Sequence, residues 1–563
     1  DIVGVSVRGI PPDMTGVTMD GQRLASAVAG FQPVGDRAAR VDTISPEFIK
    51  EVRLFKASTP DVDPGSLGGG IDIVTKSALD FSRRVGTYRV AMTKTDYRDT
   101  ADWHPSLAFT YLDQFGEGDR YGITLTGSFV REVVNRDVME TGRSQPPPDE
   151  GMLGIRMIDD LQKRDRAGMG LKFEYRASDT LLLHASVNFN YHRFDSLRLD
   201  RSFGSVGGGA EALRPADYTV VSRADIEAGT PARTTAGLLA GAAPGRSNDV
   251  IELLRPRLSY RTAAEDMWLR NLKLQVGADA KVWGGTLDVR AVHNPSNADY
   301  DYSGMIIRRD SVPGNGYGIR IDSSADRTRP LVTQTFGKTV FFGTDFDDWA
   351  TDQVYAGPLR TEETVSALAA NFERPMETSG LRWTLKTGLQ FRRQTHMRER
   401  YFPIWDYFGP DGVNGRNPVT GVNDANYDLF RVAGQGYSLF NNHFGHWDVL
   451  DWDFARKYFF EINPGSLVSR NRPPESDREV TEDVSAAYAM GTITLGDLTV
   501  LSGVRWEHTD IDAIGSANDP REPTQMRTRR QSDYTKLFPS VHFRYEPVRN
   551  LVLRSSWSTT SAR

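Results

Sequence analysis

Cysteine is absent from the chain. Disulfides and thiolate metal sites are therefore excluded, and a thiol-free chain suits an oxidising compartment. No apolar run reaches the roughly 18 residues that a transmembrane helix needs. Basic excess is missing too: Lys and Arg total 68 against 74 Asp and Glu, a formal charge of −6. That balance gives no electrostatic footprint for nucleic acid. Hydrophobic residues make up only 39% of the chain, a low share for a packed globular interior. With nine histidines, no Ser/His/Asp arrangement or nucleophile elbow stands out, so the chain is read as no enzyme, and no cofactor or metal motif is found. Repeats with a period of about 40–50 residues, the mark of a propeller, are missing as well. No signal peptide is visible, but Asp1 is not a native start, so export stays open.

What is present divides the chain near Phe81. From Asp1 to Phe81, short β-type runs (Val5 to Arg8, Val17 to Met19, Glu51 to Lys56, Gly70 to Thr75) alternate with Gly, Pro and Asp clusters. Between two of them, Ser45-Pro46-Glu47 predicts a helical turn: Ser45 caps it, Pro46 fits the first position and Glu47 suits the positive end of the dipole. Gly65 to Gly70 lacks the Gly-Lys-Ser/Thr ending of a phosphate loop. Asp61, Asp63 and Asp72 follow calcium-loop spacing, but Ser66 replaces the required glycine.

Several ordered signatures of this module carry a resemblance: Val7-Arg8-Gly9, Asp20-Gly21-Gln22-Arg23, Asp42-Thr43-Ile44-Ser45-Pro46, Ile49-Lys50-Glu51-Val52 and Gly68-Gly69-Gly70-Ile71-Asp72-Ile73-Val74-Thr75-Lys76. The pattern resembles the plug domain of TonB-dependent outer-membrane receptors, in the form common among proteobacteria. The resemblance starts partway into the plug, so the chain is expected to be a fragment, with the TonB-contacting box outside it.

Beyond Val85 the period is two. Leu181, Leu183, Ala185, Val187, Phe189 and Tyr191 alternate with polar residues, as do Met169, Leu171, Phe173 and Tyr175, and Leu381, Trp383, Leu385, Leu389 and Phe391. Each stretch thus has one apolar and one polar face, long enough to cross a bilayer at a tilt. Short connections (116–119, 178–180, 284–285, 377–380, 496–497, 547–550) alternate with long ones (about 135–164, 196–262, 295–360, 401–477, 514–531), as in a barrel with periplasmic turns and extracellular loops. The expected fold is mainly β: a transmembrane antiparallel barrel over 82–563 with a small α+β plug, residues 1–81, in its lumen. About thirteen strands are counted against about 22 in the largest plugged transporters, so further strands are expected after Arg563. A soluble sandwich would not carry such long loops on every second connection.

Two groups of residues are candidates for function. Residues 401–460 hold many aromatic residues among Asp and Asn, with Trp405, Tyr407, Trp447, Asp451 and Trp452 as the suggested ligand platform. The plainer reading is a loop that needs its own small core. Four basic residues against seven acidic ones in this stretch favour a neutral oligosaccharide over an anionic ferric chelate. His443 and His446 lie there without a carboxylate pattern for a metal. The second group follows from the resemblance, which implies two plug bases paired with barrel glutamates: Arg8 and Lys56 with Glu373 and Glu507.

The resemblance also implies the partners: TonB with the ExbB–ExbD energy-transducing complex, a small extracellular ligand, outer-membrane lipid, and a monomeric receptor. The function it implies is TonB-dependent uptake of a scarce nutrient across the outer membrane of a Gram-negative bacterium. Oligosaccharide is the favoured substrate. Ferric siderophore, another metal chelate or cobalamin is the alternative. A passive pore or surface binding protein is the second alternative, and a soluble carbohydrate-binding or carbohydrate-cleaving protein the third.

Overall fold

A computed structural model describes residues 6–11, 14–27, 41–67, 69–95, 102–143, 152–205, 250–253, 256–310, 317–322, 324–326, 330–337, 349–378, 381–414, 417–425, 427–432, 449–470, 477–517 and 526–561. The first unit is a four-stranded sheet of β1 (Gly16–Met19), β2 (Gln22–Arg23), β3 (Ile49–Phe55) and β4 (Gly70–Thr75), in the order β2-β1-β4-β3. β1 runs parallel to β4, and the other pairs are antiparallel. Asp20 and Gly21 join β1 to β2 with φ of 53° and 75°, the left-handed geometry that an Asp-Gly hairpin turn supplies cheaply. The helical turn expected at Ser45 is a 3-10 turn, Pro46–Phe48; the Ser45 hydroxyl accepts from the Glu47 N–H, and Phe48 is buried. Val17, Met19, Leu24 and Ile73 form this unit's own small core.

The rest of the chain builds a long antiparallel meander. In chain order its strands are β5 (Val85–Thr95), β6 (Asp102–Phe115), β7 (Tyr121–Arg143), β8 (Met152–Ser178) and β9 (Leu181–Ser205). A short β10 (Val250–Leu253) precedes β11 (Pro256–Val282) and β12 (Gly285–Asp310), and the short β13 (Tyr317–Asp322) and β14 (Leu331–Gly337) precede β15 (Ala350–Thr378) and β16 (Leu381–Arg400). After β17 (Ile404–Tyr407), β18 (Arg431–Val432), β19 (Val449–Leu450), helix α1 (Trp452–Lys457) and β20 (Leu467–Ser469), the meander resumes with β21 (Arg478–Leu495), β22 (Leu498–Ala517), β23 (Met526–Val548) and β24 (Leu551–Ser558). Thirteen of these strands form one continuous path from β5 to β24, the number counted from the alternation. Tight turns close one end; at the β11–β12 turn, Trp283 and Gly284 have φ of 51° and 74°.

The strands run further toward the long-loop end than the alternation indicated. The flanks of the expected loops at 135–164, 196–262 and 295–360 are strand: β7 pairs with β8 from Tyr121↔Tyr175 up to Arg143↔Met152, and β9 with β11 up to Ser205↔Pro256. The physical reason is that the two-residue pattern reports a lipid-facing side. Beyond the membrane both faces meet protein or water, while backbone pairing needs no such pattern.

Side-chain direction is fixed by parity along this ladder. On β8, Met169, Leu171 and Phe173 point outward and are exposed; on β9, Leu183, Val187 and Phe189 do the same. The outward apolar stretch from Ala167 to Tyr175 spans about 20 Å along the membrane normal at a strand tilt of about 40°. The opposite face carries the buried polar residues Glu174, Ser186, Asn188, Asn190 and Lys273, and against it the small sheet is seated.

Candidate functional site

The small sheet is held to the inner wall by side chains reaching from the strands. Near its apex, the Ala25 N–H donates to Asn294 Oδ1 at 2.7 Å, the Ser26 N–H to Glu363 Oε2 at 2.7 Å, and Asn271 Nδ2 returns a bond to the Ala25 carbonyl at 2.9 Å. Ser45 N–H donates to Asn190 Oδ1 at 3.1 Å, and at the far end Ser77 Oγ donates to Glu174 at 2.7 Å. These bonds satisfy backbone groups that the wall removes from water. Between the apex and the wall remains a cavity of about 20 Å³, bordered by Leu24, Ala25, Ser26, Asn190, Asn271 and Ser296, enough for one water.

Charge does the rest of the fastening, with the opposite polarity to that expected. The carboxylates are on the plug and the cations on the wall. Lys273, fully buried, donates to the Met19 carbonyl at 2.7 Å and lies 3.8 Å from Asp20. Arg290 donates to the Asp20 carbonyl at 2.8 Å. Lys386 reaches Asp61 at 2.5 Å, and Arg392 bridges Asp63 and Glu482, the latter at 3.1 Å. For both Asp20 and Asp61, burial raises the pKa, but the wall lysine and the hydrogen bonds outweigh it, so each carboxyl sits below its ordinary value. Asp72 is used inside the plug, accepting from Thr18 at 2.6 Å and the Gly21 N–H at 2.8 Å. The calcium-like spacing of Asp61, Asp63 and Asp72 is therefore incidental to their roles.

The pairing implied for Arg8 and Lys56 is not formed. Arg8 occupies an exposed turn with φ of 56°, and Lys56 is exposed just after β3. Glu507 is buried on β22, where Arg505, two residues away on the same strand, donates to it at 2.7 Å. Arg505 also reaches Gln390 at 2.8 Å and the Pro60 carbonyl at 3.5 Å. Glu373 is exposed, five residues before the end of β15 at the tight-turn side. The barrel carboxylates that do grip the plug include Glu363, through the Ser26 N–H, and Glu174, through the Ser77 hydroxyl. Lys386 and Arg392 have the parity opposite to the exposed Leu389 and Phe391 and so face inward, and Gly388 and Gln390, the inward residues between them, carry no charge.

The aromatic stretch also departs from expectation. Tyr407 and Trp452 are buried, and Trp405 packs against the same cluster, in a core with Tyr427, Phe430 and Phe459. Burial pushes the Tyr407 phenol up, with the Tyr458 hydroxyl adding to it. Trp452 Nε1 donates to Ser303 Oγ at 3.0 Å, and Asp451 caps α1 by accepting from the Phe454 N–H at 2.9 Å. The wall residues under this core are Phe203, Leu258, Tyr260, Met305, Ile307 and Val354, which share the outward parity of the lipid-facing residues. The stretch thus braces the outside of the extended wall, and these side chains are taken up in packing rather than lining the mouth. Trp447, His443 and His446 lie outside the described residues.

The inner face above the plug holds another constellation, hidden in sequence because it falls within the stretches expected to be loops. Asp200 is surrounded by Arg156, Arg198 at 2.8 Å and Arg261 at 3.4 Å. Asp160 accepts from Arg136 at 2.7 Å and Ser196 at 2.6 Å. The carboxylates are buried, with side-chain exposures of 6% and 3%, whereas Arg136, Arg156 and Arg261 remain 40%, 31% and 28% exposed. Glu140, beside Arg156 at 3.3 Å, is the exposed carboxylate of the group. Tyr300, Tyr302, Tyr355 and Phe402 stack beneath, with Tyr355 donating to Tyr302 at 3.0 Å and Arg261 reaching the same hydroxyl at 3.4 Å.

One group suits a cation by geometry: His184, Asp279 and Asp288 converge near the tight-turn end. Asp288 is already occupied by Arg290 at 2.8 Å and Asn371 at 3.2 Å, so a fixed cation stands where a metal would have to.

No curated protein sequence matches the chain. Among solved structures, it is similar to the siderophore receptor PiuA from Acinetobacter baumannii (11% identity, TM-score 0.45, 98% of this chain and 58% of that one). It is also similar to the ferric-catecholate import receptor Fiu from E. coli K12 in its open form (12%, 0.45, 99% and 64%) and to the ferric citrate transporter FecA in its unliganded form (12%, 0.44, 98% and 55%). The chain therefore spans 55–64% of the length of these structures. Residues 299–562 match the family described as TonB dependent receptor-like, beta-barrel. That match covers the wall from the middle of β12 to β24, and over this part the chain matches the TonB-dependent receptor barrel family.

Proposed function

We propose that this receptor takes up a scarce anionic ligand of the ferric-siderophore class across the outer membrane of a Gram-negative bacterium, drawing on TonB with ExbB–ExbD, as a monomer and without catalysis. The observation that carries the substrate class is the ordering of charge above the plug. In the pairs of Arg136, Arg156 and Arg261 with Asp160 and Asp200, the guanidinium is exposed to the lumen and the carboxylate is buried behind it. Guanidinium groups that lie outermost on the wall attract anions and raise their rate of capture, against Glu140 as the exposed carboxylate of the group. Guanidinium groups also suit planar, bidentate recognition of carboxylate-type oxygens. The acidic charge of residues 401–460, which favoured an oligosaccharide, has less weight here because the aromatic core of that stretch packs on the outside of the wall.

The test is equilibrium binding by the full-length receptor against ferric siderophores and neutral oligosaccharides. An anionic chelate should bind best and lose affinity as salt is raised. Arg156→Gln and Arg261→Gln should each weaken it by about tenfold or more, the scale of a lost charged hydrogen bond. Tight oligosaccharide binding that ignores salt and both substitutions would overturn this reading.

A further inference from the structure

The constellation above the plug is balanced in charge. Its guanidinium groups, Arg136, Arg156, Arg198 and Arg261, meet four carboxyl groups, Asp160, Asp200, Glu265 and Glu140. An anion therefore gains from this wall only where one of the four gives way. Three are built in: Asp160 and Asp200 are buried, and Glu265 accepts from the Tyr300 hydroxyl. Glu140 differs. Its side chain is 52% exposed, and its one bond among the described residues comes from Arg156 Nη1 at 3.3 Å. Glu140 and Arg156 stand directly opposite each other across β7 and β8, with the inward parity of Arg136 and Asp160.

We propose, resting on the uptake reading above, that Glu140 is an internal competitor of this anion site: it occupies the lumenal edge of Arg156 in the empty receptor, and the ligand displaces it. Geometry is the first argument. Arg156 turns Nη2 to the buried Asp200 and Nη1 to Glu140. Arg261 reaches the same Asp200 oxygen at 3.4 Å. Sharing that oxygen brings the two guanidinium groups together, and Asp200 orients both before any ligand arrives. The edge that Glu140 covers is thus the one an incoming anion needs. Energy is the second argument. Displacing Asp160 or Asp200 would strand buried charge, which is costly. An exposed ion pair is weak, and the freed Glu140 carboxylate returns to water. Glu140 nevertheless competes at the high effective concentration of a tethered group. It lowers the affinity of every anion by one common factor. A tight chelate still saturates the site under that penalty, whereas small anions abundant outside the cell are kept off it.

The experiment is equilibrium binding by the full-length receptor of a triply charged ferric tris-catecholate, a neutral ferric tris-hydroxamate and inorganic phosphate. Glu140→Gln should tighten both anions by about twofold to fivefold, the scale of an exposed ion pair, and leave the neutral chelate unchanged. In an Arg156→Gln background the same substitution should change anion binding by less than about 1.5-fold, because a competitor acts only through the group it occupies. Glu132→Gln, which removes another carboxylate from the same face of β7, should leave both anions unchanged. A gain from Glu140→Gln that persists without Arg156 would overturn the proposal, since long-range repulsion would then account for it. So would unchanged anion affinity in Glu140→Gln where Arg156→Gln still weakens binding, a result that leaves the uptake reading standing. Anion binding that ignores both substitutions, or is absent from both receptors, would remove both readings.

Discussion

Arg392 has a side chain only 2% exposed and two carboxylates to neutralise it, Asp63 on the plug and Glu482 on β21. Removing Asp63 leaves a buried guanidinium with one partner. Asp61→Asn with Asp63→Asn is expected to weaken plug seating by about 1–3 kcal/mol per lost charged bond, read as faster hydrogen exchange over residues 41–81 with the wall strands unchanged. Unaltered exchange in the double variant would show that backbone bonds alone hold the plug. The pH dependence has a definite sign. The wall lysines and hydrogen bonds hold the Asp20 and Asp61 carboxyls below the ordinary aspartate value of about 3.9. Their contribution is therefore complete above that value and is lost only as pH falls through the lower folded values. Protection factors over the plug should be flat from about pH 5 to 8 and fall steeply only under stronger acid. At this scale the sequence was half legible. Alternation showed which way Lys386, Arg392 and Glu507 point, but direction does not name a partner. Glu507 found Arg505 on its own strand, and the plug supplied acids where bases were expected, because contacts 300 residues apart in the chain depend on how the plug is seated.

The brace over 401–470 is an element in its own right. Its core of Tyr407, Tyr427, Phe430, Trp452 and Phe459 adheres to the outward side of β9, β11, β12 and β15. Trp452→Ala removes a fully buried aromatic ring and the bond to Ser303, an expected local cost of about 3–5 kcal/mol. Limited proteolysis should then cut within 401–470 while ligand affinity changes by less than about twofold. A larger drop in affinity than in protease resistance would return these aromatic residues to the binding site. Composition alone revealed that this stretch needs aromatic packing; it could not say on which side of the wall the packing occurs. The extended hairpins were illegible for a related reason. Beyond the bilayer, Ile155, Met157, Asp159 and Asp160 are all buried, so neither face keeps a polar or an apolar signature.

For the molecule as a whole, the outward band sets depth in the membrane. Val187 lies mid-band among Leu183, Phe189 and Tyr191, and Asp195 lies at its outer edge. Val187→Arg should destabilise the full-length barrel by about 2–4 kcal/mol in urea titrations from lipid vesicles, and Asp195→Arg by about 0–1. Equal costs would mean that the bilayer sits elsewhere on the wall. The barrel class and the strand count were readable because they depend on local periodicity and turn chemistry, and the plug was readable through the resemblance its signatures carry.

The polarity of the fastening has a consequence for traffic through the lumen. Lys273, Lys386 and Arg392 each rely on a plug carboxylate as counter-ion. When the plug is drawn aside, Lys273 and Lys386 are left in a low-dielectric wall without their anions, and Arg392 keeps only Glu482. Such a wall behaves like an ion exchanger stripped of its mobile phase: it recovers its energy by drawing the plug back or by accepting the next anion along the path. Under the uptake proposed above, a negatively charged cargo moves past these vacated positions.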